Sequence, residues 1–364
     1  MDSTILKIGI VLNYKRAERK KDELIKINKN TPVTNDLVLT KNKNKYVPAD
    51  VALGLYLMNK YNVQIDFIKP DEISTRRFNK NHIVFVIIYD LVEAFHLSSP
   101  KQFKIYKNVL KNSKNVYPPY QYQKFINNKC TYYKFLEKKN IPVAPTYCIT
   151  KRKWYSRNPN KYVSNLLKKF NTNKWESIIA KPVYGQESID FAKFKNIKDS
   201  PKIFINFKKY LSRILPKYKG VVIQEFIKGF DKKNPEFRMF FLNGVYSYCI
   251  ITVDGDVKRP IQENGTYRVS DEKWNYLKKF ANKVIGVLPK IKLGNKLIDN
   301  ILIRIDIGSG LEDVPFSYFI NEIEFVPSLY IEDQKFPVIQ ELGDGLLKVG
   351  EYYQSFKNQI KTIF

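Results

Sequence analysis

The chain is short of the residues that most often carry chemistry. It has two histidines, His82 and His96, among 364 residues. That leaves little room for imidazole general bases or a histidine-ligated zinc. Its three cysteines, Cys130, Cys148 and Cys249, are odd in number and widely spaced. They show no disulfide framework and no metal-type spacing, so the expectation is a reducing, cytoplasmic compartment. No apolar run approaches the roughly 18 residues of a membrane span, and no membrane partner is expected. The apolar stretch after Met1 is preceded by Asp2 and followed by charge, so it reads as a strand and not as a secretory leader. Acidic residues are scarce too: 35 Asp and Glu face 63 Lys and Arg, a net charge of +28. The excess favours anionic partners such as nucleotides, phosphorylated metabolites, acidic peptides or nucleic acid, although a solvated lysine surface gives the same balance. The wealth of Lys, Asn, Ile and Tyr suits an AT-rich genome, as in some parasites, bacteria and large DNA viruses.

What is present is globular. A hydrophobic content of 44% with 14% aromatics allows two or three domains with real cores. Residues 5–13, 63–68 and 83–88 read as strands. A helix is expected over the segment carrying Val51, Leu53, Leu55, Tyr56 and Met58, and another over 101–112. This βαβ rhythm predicts a parallel α/β domain over 1–120, containing a basic loop at 15–47 and ending at the breaker cluster Tyr117-Pro118-Pro119-Tyr120. Two α+β portions, 121–224 and 225–364, follow. Helices are expected near 121–139, 161–171, 271–286 and 337–361, with strands near 146–149, 177–182 and 221–227. A hairpin over 236–254 turns at Asn243-Gly244.

The most informative stretch lies near the end, where Arg304-Ile-Asp306 is followed by Asn321-Glu322-Ile-Glu324. On two strands, residues at i and i+2 share a face. Arg304, Asp306, Glu322 and Glu324 then form a charged front, with Ile303, Ile305, Ile307, Phe319, Ile323 and Phe325 behind. Three close carboxylates repel unless a cation sits among them. A hard ion such as Mg2+, which completes its shell with phosphate oxygens, suits such a front.

Four further motifs precede this one. Asn127-Asn128-Lys129 opens a helix that ends in Asn140-Ile141-Pro142. Ala180-Lys181-Pro182 runs into a turn with Gly185, Gln186 and Ser188. Gln224-Glu225-Phe226-Ile227 ends a strand, and Pro235-Glu236-Phe237-Arg238 starts another. Each is weak alone, and Glu236 with Arg238 also reads as a surface ion pair. In this order, over about 117–331, they resemble the ATP-grasp superfamily, with residues 1–116 similar to its preceding parallel α/β domain. The resemblance implies an ATP-grasp fold, α/β and α+β in class. It implies ATP and two Mg2+ ions, with Asp306, Glu322 and Glu324 as metal ligands and Arg304 and Lys181 as catalytic cations. Lys129, Lys181, Gly185, Gln186 and Ser188 would hold phosphates, and Glu225, Phe226 and Ile227 adenine. Glu236 would hold ribose with Asp231 in reserve, and Arg238 and Lys258, or Arg259, would meet a phosphate. Asn128, Asn140 and Glu324 stand where the superfamily usually has Asp, Gly and Asn. Asn321 stands where an apolar residue lining adenine is usual.

The implied activity is a carboxylate–amine ligase that forms an acyl-phosphate. Its substrates would be an anionic carboxylate or acidic peptide and an amine, and homodimers are common among such enzymes. Two rival readings stay open. One is a kinase of the same fold acting on a hydroxyl of an inositol polyphosphate. The other is a basic nucleic-acid-binding protein without catalysis.

Overall fold

The computed structural model describes residues 5–13, 24–28, 31–41, 43–198, 201–230, 234–310, 317–331, 337–356 and 360–363. Near the N-terminus, β1 (Leu6–Val11) lies between β5 (Val63–Ile68) and β6 (Ile83–Phe85), and β7 (Val116–Tyr117) completes a four-stranded parallel sheet in the order β5-β1-β6-β7. The crossover segments α1 (Ala49–Lys60), α2 (Thr75–Phe78), α3 (Leu91–Leu97) and α4 (Pro100–Asn112) connect these strands. The strand expected over 83–88 ends at Phe85, and Asp90 then caps α3 by accepting from the amides of Val92 and Glu93, both at 2.8 Å. The segment expected to be a basic loop carries β2 (Leu24–Ile27), β3 (Leu39–Lys41) and β4 (Asn44–Pro48), paired as an antiparallel sheet. Its strands are only three to five residues long, too short for an alternating pattern to stand out. Residues 15–23, 29–30 and 42 of that segment lie outside the described residues.

The helix expected over 121–139 is two, α5 (Tyr120–Asn127) and α6 (Lys129–Lys138), because Asn128 is extended at φ −97° and ψ 93°. The break sets Lys129 at the first turn of α6. Asn140 is left-handed, φ 53°, as a helix-terminating Asn often is. Beyond it, β8 (Thr146–Thr150), β9 (Ile178–Pro182), β10 (Ala192–Phe194) and β11 (Gly220–Glu225) form an antiparallel sheet, β10-β9-β11-β8. Packed with it are α7 (Lys151–Tyr155), α8 (Pro159–Thr172) and α9 (Pro201–Lys217). The last was not foreseen, although it buries Phe207, Tyr210, Leu211, Ile214 and Leu215 at helical spacing. The expectation of unpaired cysteines is corrected here: Cys130 on α6 and Cys148 on β8 form a disulfide, Cα atoms 6.0 Å apart. Only the packing of α6 beside β8 makes that approach, which lies inside the bonding window. The pairing removes the basis on which a reducing compartment was expected.

A five-stranded sheet in the order β14-β13-β12-β17-β18 carries the C-terminal part. It comprises β12 (Glu236–Leu242), β13 (Val245–Val253), β14 (Asp256–Lys258), β17 (Leu302–Ser309) and β18 (Tyr318–Glu324). Asn243 and Gly244 turn the β12–β13 hairpin with φ of 53° and 78°, the doubly left-handed turn that Asn-Gly favours. Around this sheet run α10 (Asp271–Val287), β15 (Lys290–Leu293), β16 (Lys296–Ile298), α11 (Val338–Phe356) and β19 (Ile360–Ile363). Helix α11 reaches back to α1, where Asp344 accepts from Tyr56 at 2.6 Å and Tyr61 at 2.7 Å. One hydrophobic core therefore joins Leu6 and Ile8 to Leu342 and Leu346. Among the described residues no helix is long and apolar enough to cross a membrane.

Candidate active site

Strands β17 and β18 pair antiparallel, with Arg304 opposite Glu324 and Asp306 opposite Glu322. The register then slips: Ile307 faces Ile320, and Asn321 is a bulge residue. A one-residue slip exchanges faces. Phe319, expected on the apolar back, therefore lies on the charged front, while Ile320 and Ile323 stay buried behind. The Arg304 guanidinium grips Asp306 with both teeth of its fork, at 2.6 and 2.7 Å, and lies 3.1 Å from Glu324. Lys129 pairs with Glu322. Burial pushes the carboxyl of Asp306 above its usual range, with Arg304 opposing, and does the same at Glu324. Burial would also raise Glu322, but Lys129, Lys181 and Arg304 overcome it and hold this carboxyl below its ordinary value.

On β12, Arg238 donates to Glu236 at 3.0 Å and also bonds the Tyr330 hydroxyl, while Asn321 donates to the other oxygen of Glu236 at 2.6 Å. Four cations (Lys129, Lys181, Arg238, Arg304) thus face four carboxylates (Glu236, Asp306, Glu322, Glu324). Lys181, near the end of β9, donates to Tyr133 at 2.9 Å. Removal from water, aided by neighbouring Lys129 and opposed by Glu322, lowers its pKa to about 8. The following loop holds Glu187, Ser188 and Asp190 left-handed, at φ 50°, 57° and 58°. Such a conformation costs about 1–2 kcal/mol per non-glycine residue, and it persists where the surroundings over-determine it.

Two cavities meet at this face. The first, about 410 Å³, has an apolar wall that includes Ile179, Phe226, Ile227, Phe230 and Phe319. The second, about 440 Å³, is polar and is lined by Arg238, Arg304, Asp306, Glu322, Glu324 and Tyr330, and also by Asp90 and Glu93 of α3 and its cap. Lys129, Gly185, Gln186, Ser188, Glu236, Asn321 and Glu322 line both. Glu225 and Lys181 line the first. Every described residue that was given a ligand, phosphate, nucleotide or catalytic role is therefore at one cavity or the other except Lys258, whose ammonium sits 3.6 Å from Asp256, and Arg259, which pairs loosely with Glu263. Asp231 lies outside the described residues. The backbone amides of Glu225 and Phe226 are spent on Pro145 and Ser177. Burial raises the pKa of Asp90 to about 7. Sequence reasoning missed Phe230, Phe319, Tyr133 and Tyr330. Phe319 needed knowledge of the bulge, and the other three carry no local signal.

No protein-family model matches the chain, and no curated protein matches it in sequence. Solved structures do. D-cycloserine synthetase DcsG is 15% identical with a TM-score of 0.61, over 94% of this chain and 99% of that one. D-alanyl-alanine synthetase A from Vibrio cholerae is 12% identical with a TM-score of 0.60, over 97% and 99%. The ATP-grasp ligase PsnB, with a precursor variant, Mg and ADP, is 12% identical with a TM-score of 0.53, over 94% and 98%. The chain has the ATP-grasp fold. At such identities the likeness is one of fold, and the chemistry rests on the side chains described above.

Within this ATP-grasp fold, the donor set decides what metal fits. Among the described residues no three Asp, Glu, His or Cys side chains converge as a ready metal cage. Asp306 and Glu322 nevertheless face each other across paired strands, and both offer hard oxygens. Mg2+ takes one or two carboxylates and draws its other ligands from phosphate and water. The set fits an ion that arrives with a polyphosphate, not one held by the protein alone.

Proposed function

We propose that the protein is an ATP-dependent carboxylate–amine ligase. The observation that carries this reading is the shared wall of the two cavities. Lys129, Gly185, Gln186, Ser188 and Glu322 stand between an apolar slot of nucleotide size and a polar cavity. A phosphate at that wall can pass from one side to the other. Adenine would lie against Phe226, Ile227, Phe230 and Phe319, and Glu236 would take ribose hydroxyls. Lys129 and Lys181 would hold the phosphates. Gln186 supports this assignment: its Nε2 is buried without a hydrogen-bond partner among the described residues, and its side chain borders both cavities. A buried donor left unsatisfied is costly, and a phosphate oxygen would satisfy it.

In the polar cavity, Arg304 and Arg238 would orient the acceptor carboxylate and neutralise charge as its oxygen takes the γ-phosphoryl group. The acyl-phosphate would then meet an amine, with expulsion of phosphate. Bound between Asp306, Glu322 and the polyphosphate, Mg2+ would supply charge neutralisation and orientation of the transferring group. Glu324 would balance the Arg304 charge beside it. Asp90 and Glu93 also line the polar cavity, and we assign the amine to their side of it. The synthetase and ligase names of the similar structures support the same reaction class.

Hydroxylamine trapping tests the proposal. With ATP, Mg2+ and a panel of amino acids and short acidic peptides, ADP release together with a hydroxamate is expected for at least one acid. ADP release with a stable phosphoester and no hydroxamate would refute the ligase. Failure to bind Mg-ATP at all would remove the nucleotide assignment as well.

A further inference from the structure

The loop between β9 and β10 separates the two cavities, and its two ends are fastened differently. At the first end, the Tyr184 carbonyl lies 2.9 Å from Nε2 of His96 on α3, and the Gly185 amide returns to the Pro182 carbonyl at 3.1 Å. At the other end stands Asp190. One of its carboxylate oxygens accepts from Arg213 at 2.7 Å, and the other from Lys217 at 3.0 Å and Tyr218 at 2.9 Å. Its carbonyl accepts from the Tyr210 hydroxyl at 2.8 Å. Tyr210, Arg213 and Lys217 recur at i, i+3 and i+7 on α9, one helical face turned to one residue.

We infer that Asp190 is a positioning residue that latches the loop to α9 and so presets the loop residues facing the nucleotide phosphates. The inference rests on the reading of that loop as the phosphate-holding one. Only a short acid suits the position. Asp tolerates the left-handed backbone, and its carboxylate reaches all three side-chain donors without lengthening the chain. Burial alone would raise the Asp190 carboxyl, but the donors from Lys217, Arg213 and Tyr218 outweigh it and hold the pKa at about 2. Glu187 and Ser188, left-handed and two or three residues upstream, need such an anchor to keep their conformation before any ligand arrives. Without the latch, nucleotide binding itself must order the loop, and affinity falls by that cost.

The test uses the full chain with Asp190→Asn and, separately, Arg213→Gln with Lys217→Gln, whose side chains are exposed on α9. Hydrogen exchange is followed over residues 184–191 without ligand, and calorimetry compares a non-hydrolysable ATP analogue with adenosine. Expected are faster exchange confined to that loop, affinity for the ATP analogue about ten-fold weaker in Asp190→Asn, and unchanged affinity for adenosine. The double variant should lie between wild type and Asp190→Asn. Loop exchange equal to wild type in a folded variant, or equal weakening of analogue and adenosine, would overturn the latch. Should Asp190→Asn fail to fold, the double variant decides on the same readouts. A wild-type protein that binds no ATP analogue refutes the phosphate reading instead, while exchange still reports on the latch itself.

Discussion

Replacing Arg304 by Met probes how the charged face holds itself together. Arg304 is 5% exposed and Asp306 3%, so each charge depends on the other for its environment. At 2.6 Å and an effective dielectric constant of about 20, the gross attraction is about 6 kcal/mol. Desolvation of both groups cancels much of it. Removing the guanidinium alone leaves a buried carboxylate without its bidentate partner, a change that typically costs about 3–5 kcal/mol. Arg304→Met should lower unfolding stability by that order, and Arg304→Met with Asp306→Asn by much less, giving a coupling of at least ~2 kcal/mol. Urea unfolding measures both. The same variant should gain something the wild type lacks. With Arg304 gone, Asp306, Glu322 and Glu324 hold an excess of negative charge, and Mg2+ without nucleotide should restabilise the protein. At ten times its dissociation constant, Mg2+ would contribute about 1.4 kcal/mol. In the wild type, four cations already match four carboxylates, and Mg2+ alone should do little. Additive costs for the two substitutions, or an equal Mg2+ response in wild type, would refute the reasoning.

Two further outcomes follow from the cavity walls. A Cβ on Gly308 would sit 2.7 Å from the Phe319 ring and 2.9 Å from Phe230, so Gly308→Ala must displace both rings. It should cost about 1–3 kcal/mol of stability and weaken a fluorescent ATP analogue, and unchanged affinity would exclude these rings from the nucleotide slot. Lys181 carries a pKa lowered to about 8 in the free protein, and a bound phosphate favours its charged form. ATP affinity should therefore be full below that pH and decline as pH rises through it, with proton uptake on binding that calorimetry in buffers of different ionisation enthalpy detects. Lys181→Met should abolish the proton uptake.

The charged front was legible because its signal is local. Alternation with period two put Arg304, Asp306, Glu322 and Glu324 on one front, and their Cα pairing across β17 and β18 follows that pattern. Lys129 and Lys181 were marked by the resemblance of their motifs to the superfamily, not by local chemistry, and Asn243-Gly244 by turn chemistry. Lys258 shows the limit of the same logic, since position on a neighbouring hairpin arm does not say where a long side chain goes. The short strands between 24 and 48 were invisible because three to five residues carry too little periodicity.

By itself, then, the sequence determined the longer strands and helices other than α9, the charged front of two strands, and the demand of three carboxylates for nearby cations. These follow from backbone periodicity and charge, which act between residues close in the chain. Only the tertiary structure decided which cations answer that demand. Lys129 reaches Glu322 from 193 residues away, and the bulge at Asn321 turns Phe319 from the expected apolar back to the wall of the apolar cavity. It also decided that Cys130 meets Cys148 and that α9 holds Asp190. These depend on how separate elements pack and on a single slip in strand register, and neither leaves a trace in local pattern.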